Sequence, residues 1–254
     1  MKNILSKLLQ KMGYEIRLIA GKSNNPKDVY YQIKHLLSNQ SKPIIFDVGA
    51  NIGKIATTYR SIFPNAQIYA FEPIAECYDQ LKILSNRDKN LYPYPIAISN
   101  KNEKREFFIN QNLGSSSLLT SNSKGKEIWS NRALETVSTT NVECKTLDSF
   151  CIENDIKRIN LIKLDIQGSE LNALHGAEKL LKEGKIDMIY TEISIYKSYN
   201  GQAEFHQILS YLKEYHFTLF NIYKSIHKNG RLLEIDILFV TSALLSRQND
   251  TMDN

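Results

Sequence analysis

The chain has 254 residues, of which 42% are hydrophobic and 23% are charged. This composition is typical of a globular protein and excludes a collagen-like, low-complexity or disordered chain. The formal net charge is +5, and residues 1–27 account for it with six basic side chains and one acidic one. Because residues 28–254 are formally neutral, they lack the basic surface that neutralises phosphates, and we expect no nucleic-acid partner.

Cysteine usage and hydropathy indicate the cellular compartment. Cys77, Cys144 and Cys151 show no Cys-x-x-Cys spacing, which favours reduced thiols over a disulfide framework or a zinc site. No apolar run approaches the roughly 18 residues of a membrane span, and lysines interrupt the segment where a secretion signal needs an apolar core. We therefore expect a cytoplasmic protein. Its basic segment 1–27 leaves open a contact with the inner face of the membrane, or with a second copy in a homodimer.

The first 40 residues are predicted to form an N-terminal helical extension. Apolar side chains at helical spacing predict an amphipathic helix over 4–19. The segment Asn24-Asn25-Pro26 interrupts the pattern, and a second helix is predicted over 29–37.

From residue 41 short apolar runs alternate with helical patterns, which predicts an α/β fold. The predicted strands are 44–48, 67–71, 94–99, 105–109, 142–145, 159–164 and 186–193, and the predicted helices are 52–63, 75–84, 147–154, 169–181 and 203–215. We expect a doubly wound, Rossmann-like, mostly parallel seven-stranded sheet, whose strand-to-helix loops bind ligands at one edge. The runs 217–223 and 232–240 predict a C-terminal antiparallel hairpin.

This pattern predicts one domain over 41–243, with a polar insert at 110–140. An insert of that length without regular structure is usually functional or disordered. Residues 244–254 are expected to be a loose tail.

The turn after the first strand of this domain has the spacing of a cofactor site. It reads Asp47-Val48-Gly49-Ala50-Asn51-Ile52-Gly53. Gly49 permits a tight turn and close approach of a ligand, and Gly53 permits close packing of the helix on the strand. Glu72 closes the second strand, where a carboxylate can accept hydrogen bonds from both ribose hydroxyls of an adenosine.

Two cofactors compete for this turn. NAD requires a second glycine where Asn51 stands, and its pyrophosphate would meet the negative charge of Asp47. S-adenosylmethionine has an ammonium group and no phosphate, so it fits better. An NAD-dependent oxidoreductase or epimerase of Rossmann type stays as the alternative, as does an inactive relative that only binds S-adenosylmethionine.

The motifs together resemble those of the FkbM-type methyltransferases over residues 43–240. The resemblance rests on the turn 47–53, on Phe71-Glu72-Pro73, on Thr146-Leu147-Asp148 and above all on the segment 162–170. It implies an S-adenosylmethionine-dependent O-methyltransferase. The cofactor-binding residues predicted in this way are Asp47, Gly49, Asn51, Gly53, Glu72, Ala97, Ser99 and Asp165, with the segment containing Ala97 and Ser99 lying against the adenine. Many members of the family have Glu at the position of Gln167, so Gln167 is not expected to carry charge-dependent chemistry.

Three residues at strand ends are predicted to be catalytic. Asp165 follows the strand beside the first one and should face the transferred methyl group, as a base or an orienting group for the acceptor hydroxyl. Lys163 lies on the same strand face, where an internal ion pair is the alternative to a catalytic role. Glu192 ends the fifth strand at the same edge. Asp165 and Glu192 could hold Mg²⁺ through their oxygens, but a metal-free mechanism that depends on proximity, with Asp165 as the base, is preferred.

The acceptor is expected to be a small molecule or glycan, methylated on a sugar hydroxyl of a glycan, glycolipid or glycosylated metabolite. Ser117 lies in a small-residue turn, Gly114 to Leu118, that resembles one in the family. Trp129, Tyr196 and Tyr199 offer flat faces to sugar C–H groups. For Trp129 the alternative is that it anchors the insert to the core.

Overall fold

The computed structural model describes residues 14–18, 28–130 and 132–252, and it describes side chains throughout these ranges except at 14–18 and 248–252. The strands are β1 Tyr14–Leu18, β2 Ile44–Val48, β3 Gln67–Phe71, β4 Leu91–Tyr94, β5 Ile96–Ile98, β6 Glu103–Asn110, β7 Thr136–Lys145, β8 Ile159–Leu164, β9 Ile186–Ser194, β10 Phe217–Lys228 and β11 Arg231–Thr241. The helices are α1 Val29–Leu36, α2 Lys54–Ile62, α3 Ala75–Ser85, α4 Ser123–Trp129, α5 Leu147–Glu153, α6 Glu170–His175, α7 Glu178–Lys182, α8 Phe205–Glu214 and α9 Ser242–Met252.

The main sheet has the strand order β1-β10-β11-β9-β8-β2-β3-β4. Strands β9, β8, β2, β3 and β4 are parallel, and β11 pairs antiparallel with β9. The order reverses between β2 and β8, so a crevice forms at the carboxyl ends of these two strands. The predicted Rossmann-like fold and the C-terminal hairpin, β10 and β11, are therefore confirmed, and α1 confirms the helix predicted over 29–37.

The eighth strand corrects one prediction. Tyr14–Leu18 pairs antiparallel with β10, so this part of the helix predicted over 4–19 is wrong. The edge of β10 presents unpaired backbone N–H and C=O groups, which a strand satisfies and a helix cannot. The rest of the predicted helix lies outside the described residues.

A second, three-stranded sheet in the order β5-β7-β6 stands beside the main one. The strand predicted over 94–99 is thereby divided: Leu91–Tyr94 ends the main sheet, and Ile96–Ile98 pairs with β7. Pro95 separates the two because proline has no N–H with which to continue a ladder. The insert 110–140 contains a 3₁₀ turn at Leu113–Ser115, helix α4 and the start of β7, so its described residues are largely ordered elements.

Hydrophobic layers cover both faces of the main sheet. Phe46, Phe71 and Phe150 pack with ring centroids 4.8–5.8 Å apart on one face, and Tyr59 and Met188 are buried on the other. The helix predicted over 169–181 is broken into α6 and α7. Residues 242–252 form α9 instead of a loose tail, because Leu244 is buried against the core. Within the described ranges, every helix is too short or too polar to cross a membrane.

Candidate active site

The turn between β2 and α2 is locked to the ends of two neighbouring strands. The N–H groups of Gly49 and Ala50 both donate to the Phe71 carbonyl, at 3.0 and 3.1 Å. The Asp165 N–H donates to the Val48 carbonyl at 3.1 Å. These bonds bring the carboxyl ends of β2, β3 and β8 together, as expected for neighbouring strands of a parallel sheet.

Gly49 has no room for a side chain at this junction. Its φ is +80°, and a Cβ would lie 2.0 Å from the Asp165 carbonyl oxygen. We expect Gly49→Ala to lower the free energy of unfolding by about 3 kcal/mol or more, since strain and a backbone clash add. Gly230→Ala is the matched control: its φ is +75° and nothing lies within 4 Å of its Cβ position, so about 1–2 kcal/mol is expected. Urea denaturation compares the two, and equal losses would contradict the close approach at Gly49.

A cavity opens to solvent at this edge of the sheet, with about 650 Å³ of space including its open mouth. Glu72 lies in its wall with one backbone donor on each carboxylate oxygen: the Asn51 N–H at 2.9 Å and the Ile74 N–H at 2.9 Å. Burial raises the pKa of Glu72 to about 7, against these two hydrogen bonds. Each oxygen keeps a lone pair, so the carboxylate can accept from two ribose hydroxyls.

The rest of the wall fits S-adenosylmethionine. Ile96, Ala97, Ile98 and Phe107 form an apolar side, suited to an adenine ring. Asn51 adopts a φ of +48°, which asparagine tolerates better than most residues. This backbone conformation places Asn51 in the cavity wall. Asp165 lies in the same wall and supplies a negative charge. Gly49, Asn51, Glu72, Ala97 and Asp165 therefore lie where the sequence predicted.

Three predicted cofactor residues lie outside this wall. Asp47 is fully buried, and its carboxylate oxygens have no hydrogen-bond partner at standard geometry among the described residues; burial raises its pKa to about 6 against the charge of Lys163. A Cβ on Gly53 would lie 2.5–2.9 Å from Leu84 and Leu81, so Gly53 serves the contact between α2 and α3, not one with a strand. Ser99 is buried, and its backbone carbonyl oxygen lies so close to Gly176 that a Cβ there would be 2.1 Å away.

Asp165 is held by two donors. Lys163 Nζ lies 2.7 Å from one carboxylate oxygen, and Gln167 Nε2 donates to the other at 3.0 Å. Burial raises the pKa of Asp165, but Lys163 and Gln167 outweigh it and hold the pKa below its usual range. Lys163 is buried and lies outside both cavities, so its ion pair with Asp165 supports the alternative reading of this lysine. An ionised Asp165 with a lowered pKa is a weaker base than a free aspartate.

A second cavity of about 700 Å³ shares Gln167 and Gly114 with the first. Trp129, Tyr199 and Glu192 line it, together with Glu234. Ser117 and Tyr196 do not. Ser117 lies behind the wall, where its hydroxyl donates to the Gln167 carbonyl at 2.8 Å.

Gln167 is the residue that the sequence analysis undervalued. Its Nε2 lies 3.0 Å from both Asp165 Oδ1 and Glu192 Oε1, and Tyr199 Oη lies 3.0 Å from its Oε1. Gln167 has a φ of +54° and lies in a turn. The N–H groups on either side of it, at Ile166 and Gly168, both donate to the Glu170 carboxylate and hold this turn. A single amide thus holds both predicted catalytic carboxylates, and a carboxylate in its place would repel them.

The hairpin supplies further charged residues that the sequence analysis did not name. Lys224 Nζ lies 3.2 Å from Glu192, 3.0 Å from Glu234 and 3.5 Å from Asp236. Burial and the charges of Asp165 and Glu234 raise the pKa of Glu192 well above its usual range, against Lys224. In the sequence, the signal for this cluster is the presence of Glu234 and Asp236 within the otherwise apolar run of β11. Only the pairing of β9 with β11 shows that they lie beside Glu192.

A doubly wound α/β sheet with a ribose-type carboxylate and an adjoining polar cavity defines an enzyme that binds a nucleoside cofactor. Residues 47–219 match the methyltransferase FkbM domain, and the chain belongs to this family. It is an S-adenosylmethionine-dependent methyltransferase, and the NAD alternative is not favoured.

Two curated proteins are similar to the chain. The 2-O-methyltransferase NoeI of Sinorhizobium fredii is 29% identical over 199 residues, 74% of this chain and 77% of that protein. The methyltransferase sdnD of Sordaria araneosa is 30% identical over 173 residues, 60% of this chain and 66% of that protein. Among solved structures, the precorrin-6y C5,15-methyltransferase of Geobacter metallireducens superposes with a TM-score of 0.45 at 10% identity, over 88% of this chain and 92% of that one. That likeness is too weak to inform the site.

Proposed function

We propose that the protein methylates a hydroxyl group of a sugar in a glycan, a glycolipid or a glycosylated metabolite. The observation that carries the proposal is the shared wall of the two cavities. Gln167 and Gly114 border both the cavity with Glu72 and the one with Trp129 and Glu192. An acceptor in the second cavity would thus lie next to a methyl donor in the first. The name of the relative from Sinorhizobium fredii, a 2-O-methyltransferase, agrees with a hydroxyl acceptor.

Glu192, Asp165 and Gln167 have separate roles in a methyl transfer that releases one proton from the acceptor. When bound, S-adenosylmethionine supplies an electrophilic methyl group. Glu192 lies in the acceptor cavity, and its raised pKa makes it a better proton acceptor than Asp165. Glu192 would accept the proton that the acceptor hydroxyl loses when it is methylated. Asp165 stays ionised beside Lys163 and offers its negative charge to the cationic donor. Gln167 keeps the two carboxylates apart in fixed orientations.

We propose that this chemistry needs no metal. The oxygens of Glu192, Glu234 and Asp236 lie within 4.8 Å of one another, the spacing of a cation site. Lys224 contacts all three and supplies the positive charge that an ion would bring. The Gln167 amide likewise lies between Asp165 and Glu192 and donates a hydrogen bond to each. Hydrogen-bond donors of the protein, rather than a cation, therefore contact both groups of carboxylates.

The proposal is tested by mass spectrometry of glycans and glycolipids from cells that lack the gene and from cells complemented with it. The expected result is the loss of one methyl group from a sugar, restored by complementation. The purified protein should then return that methyl group to the extracted acceptor with S-adenosylmethionine and excess EDTA. Methylation confined to protein, lipid or nucleic acid would contradict the proposal. Activity that disappears with EDTA and returns with Mg²⁺ would contradict the metal-free mechanism alone.

Membrane contact and homodimer formation stay predictions. Residues 14–18 are paired with the sheet edge, so any surface formed by a helix would have to come from the other residues of the segment 1–27.

A further inference from the structure

We propose that the second cavity admits sugars that are neutral or carry an amine, and rejects sugars that carry a carboxylate, sulfate or phosphate. This inference extends the proposed function, and it depends on that function only for the identification of the acceptor as a sugar. The selection itself follows from the charges around the cavity.

The charged groups in the cavity wall have one sign. Glu192 and Glu234 line it, and no lysine, arginine or histidine does among the residues that the structure describes. Their side chains are only 19% and 12% exposed. A negative group brought into the cavity would therefore lose water and meet the ionised forms of these carboxylates as like charges, with no cation in the described part of the wall to neutralise it.

The two lysines that contact the carboxylates of the site, Lys163 and Lys224, are engaged by those carboxylates. Lys224 is shared by Glu192, Glu234 and Asp236, and Lys163 is paired with Asp165. Four carboxylates thus share two ammonium groups. An anionic acceptor would have to displace one of these pairs, whereas an ammonium group would find an excess of negative charge.

Neutral hydroxyls find partners in the same wall. Ser194, Ser198 and Asn112 line the cavity with groups that can donate and accept. Trp129 is fixed there by its indole N–H, which lies 3.0 Å from Ser198 Oγ. An aromatic face beside hydroxyl groups suits the C–H surface and the rim of a sugar ring.

Trp129 is the single tryptophan of the chain, so its fluorescence reports on the cavity directly. We expect caesium to quench Trp129 at least threefold more efficiently than iodide, after each is normalised to free N-acetyltryptophanamide. In Glu234→Gln this ratio should fall. Glu127→Gln is the control, since it removes the same charge from an exposed residue of α4 that lies outside the wall. Equal or preferential quenching by iodide in the wild-type protein would overturn the proposal without any variant.

Three matched sugars provide the second arm: methyl glucoside, the corresponding methyl glucuronide and the corresponding 2-amino sugar. The neutral and amino sugars should change Trp129 fluorescence saturably and compete with the native acceptor, and the glucuronide should bind at least tenfold more weakly. Equal binding of the glucuronide would overturn the charge selection. If no sugar binds while the preference for caesium holds, the charge selection stands and the sugar acceptor of the proposed function fails.

Discussion

Replacement of Glu72 by alanine is expected to weaken S-adenosylmethionine binding roughly 100-fold, because two hydrogen bonds from ribose hydroxyls to a carboxylate are lost, about 3 kcal/mol together. The Asn51 and Ile74 N–H groups lose their acceptor as well. Isothermal titration calorimetry measures the change, with circular dichroism to verify that the variant is folded. Glu76→Gln removes one carboxylate from an exposed position of α3 outside the cavity wall and should bind as the wild-type protein does. Unchanged affinity in Glu72→Ala would reject the assignment of Glu72 to the ribose.

The same carboxyl makes cofactor affinity depend on pH. Its pKa is about 7 in the free protein, raised by burial, and ribose hydroxyls donate to the ionised form. Below that pH, binding must first release a proton, so affinity should rise with pH up to about 7 and then level off. Glu72→Gln keeps one acceptor oxygen but cannot ionise. It should bind more weakly than the wild-type protein at pH 8 and show no such rise.

Glu192→Gln should lower kcat by about 10²–10⁴-fold, the usual contribution of a general base, while the dissociation constant of S-adenosylmethionine stays within about twofold because Glu192 lies outside the cofactor cavity. In the wild-type protein kcat should rise with pH, because the pKa of Glu192 is raised and only its ionised form accepts a proton. The variant should lose this rise. Single-turnover kinetics with the native acceptor, from pH 6 to 9, measure both effects.

The Asp165→Asn variant distinguishes the role of Asp165 from that of Glu192. It removes the charge that Lys163 pairs with, so kcat and cofactor affinity should both fall. The rise of kcat with pH should remain, since Glu192 is intact. If instead Asp165→Asn removes the pH dependence and Glu192→Gln keeps it, the base is Asp165, as the sequence analysis preferred.

Local patterns were sufficient to predict several residues that border the first cavity. Gly49 and Asn51 adopt positive φ values where the motif required a tight turn. Glu72 ends a strand that lies beside β2. These residues are placed by a turn and two adjacent parallel strands, and both leave a clear signal in the sequence. Asp47 and Ser99 are buried outside the wall, because a residue near the end of a strand can point toward a cavity or into the core.

The acceptor half depended on contacts between distant segments. Gln167 reads as a neutral substitution, yet its amide donates both to Asp165 and to Glu192, which lies 25 residues after Gln167. Glu234 reaches the cavity, and Lys224 reaches the carboxylates of Glu192 and Glu234, only because β11 pairs with β9 and β10 with β11. Trp129 reaches it through Ser198, 69 residues later. Register and packing across the sheet decide such contacts, and the spacing of residues along the chain does not specify them.

Alternating strand and helix patterns, together with the motifs, thus determined the class of protein, an α/β methyltransferase, and the distribution of charge showed that residues 28–254 are formally neutral. The net charge of +5 does not describe the reaction site. The tertiary structure gathers Asp165, Glu192, Glu234 and Asp236 around two lysines, so the surroundings of the acceptor cavity are acidic in a chain that is basic as a whole. A net charge sums over the chain, whereas a buried cavity responds to the few groups that folding brings beside it at low dielectric.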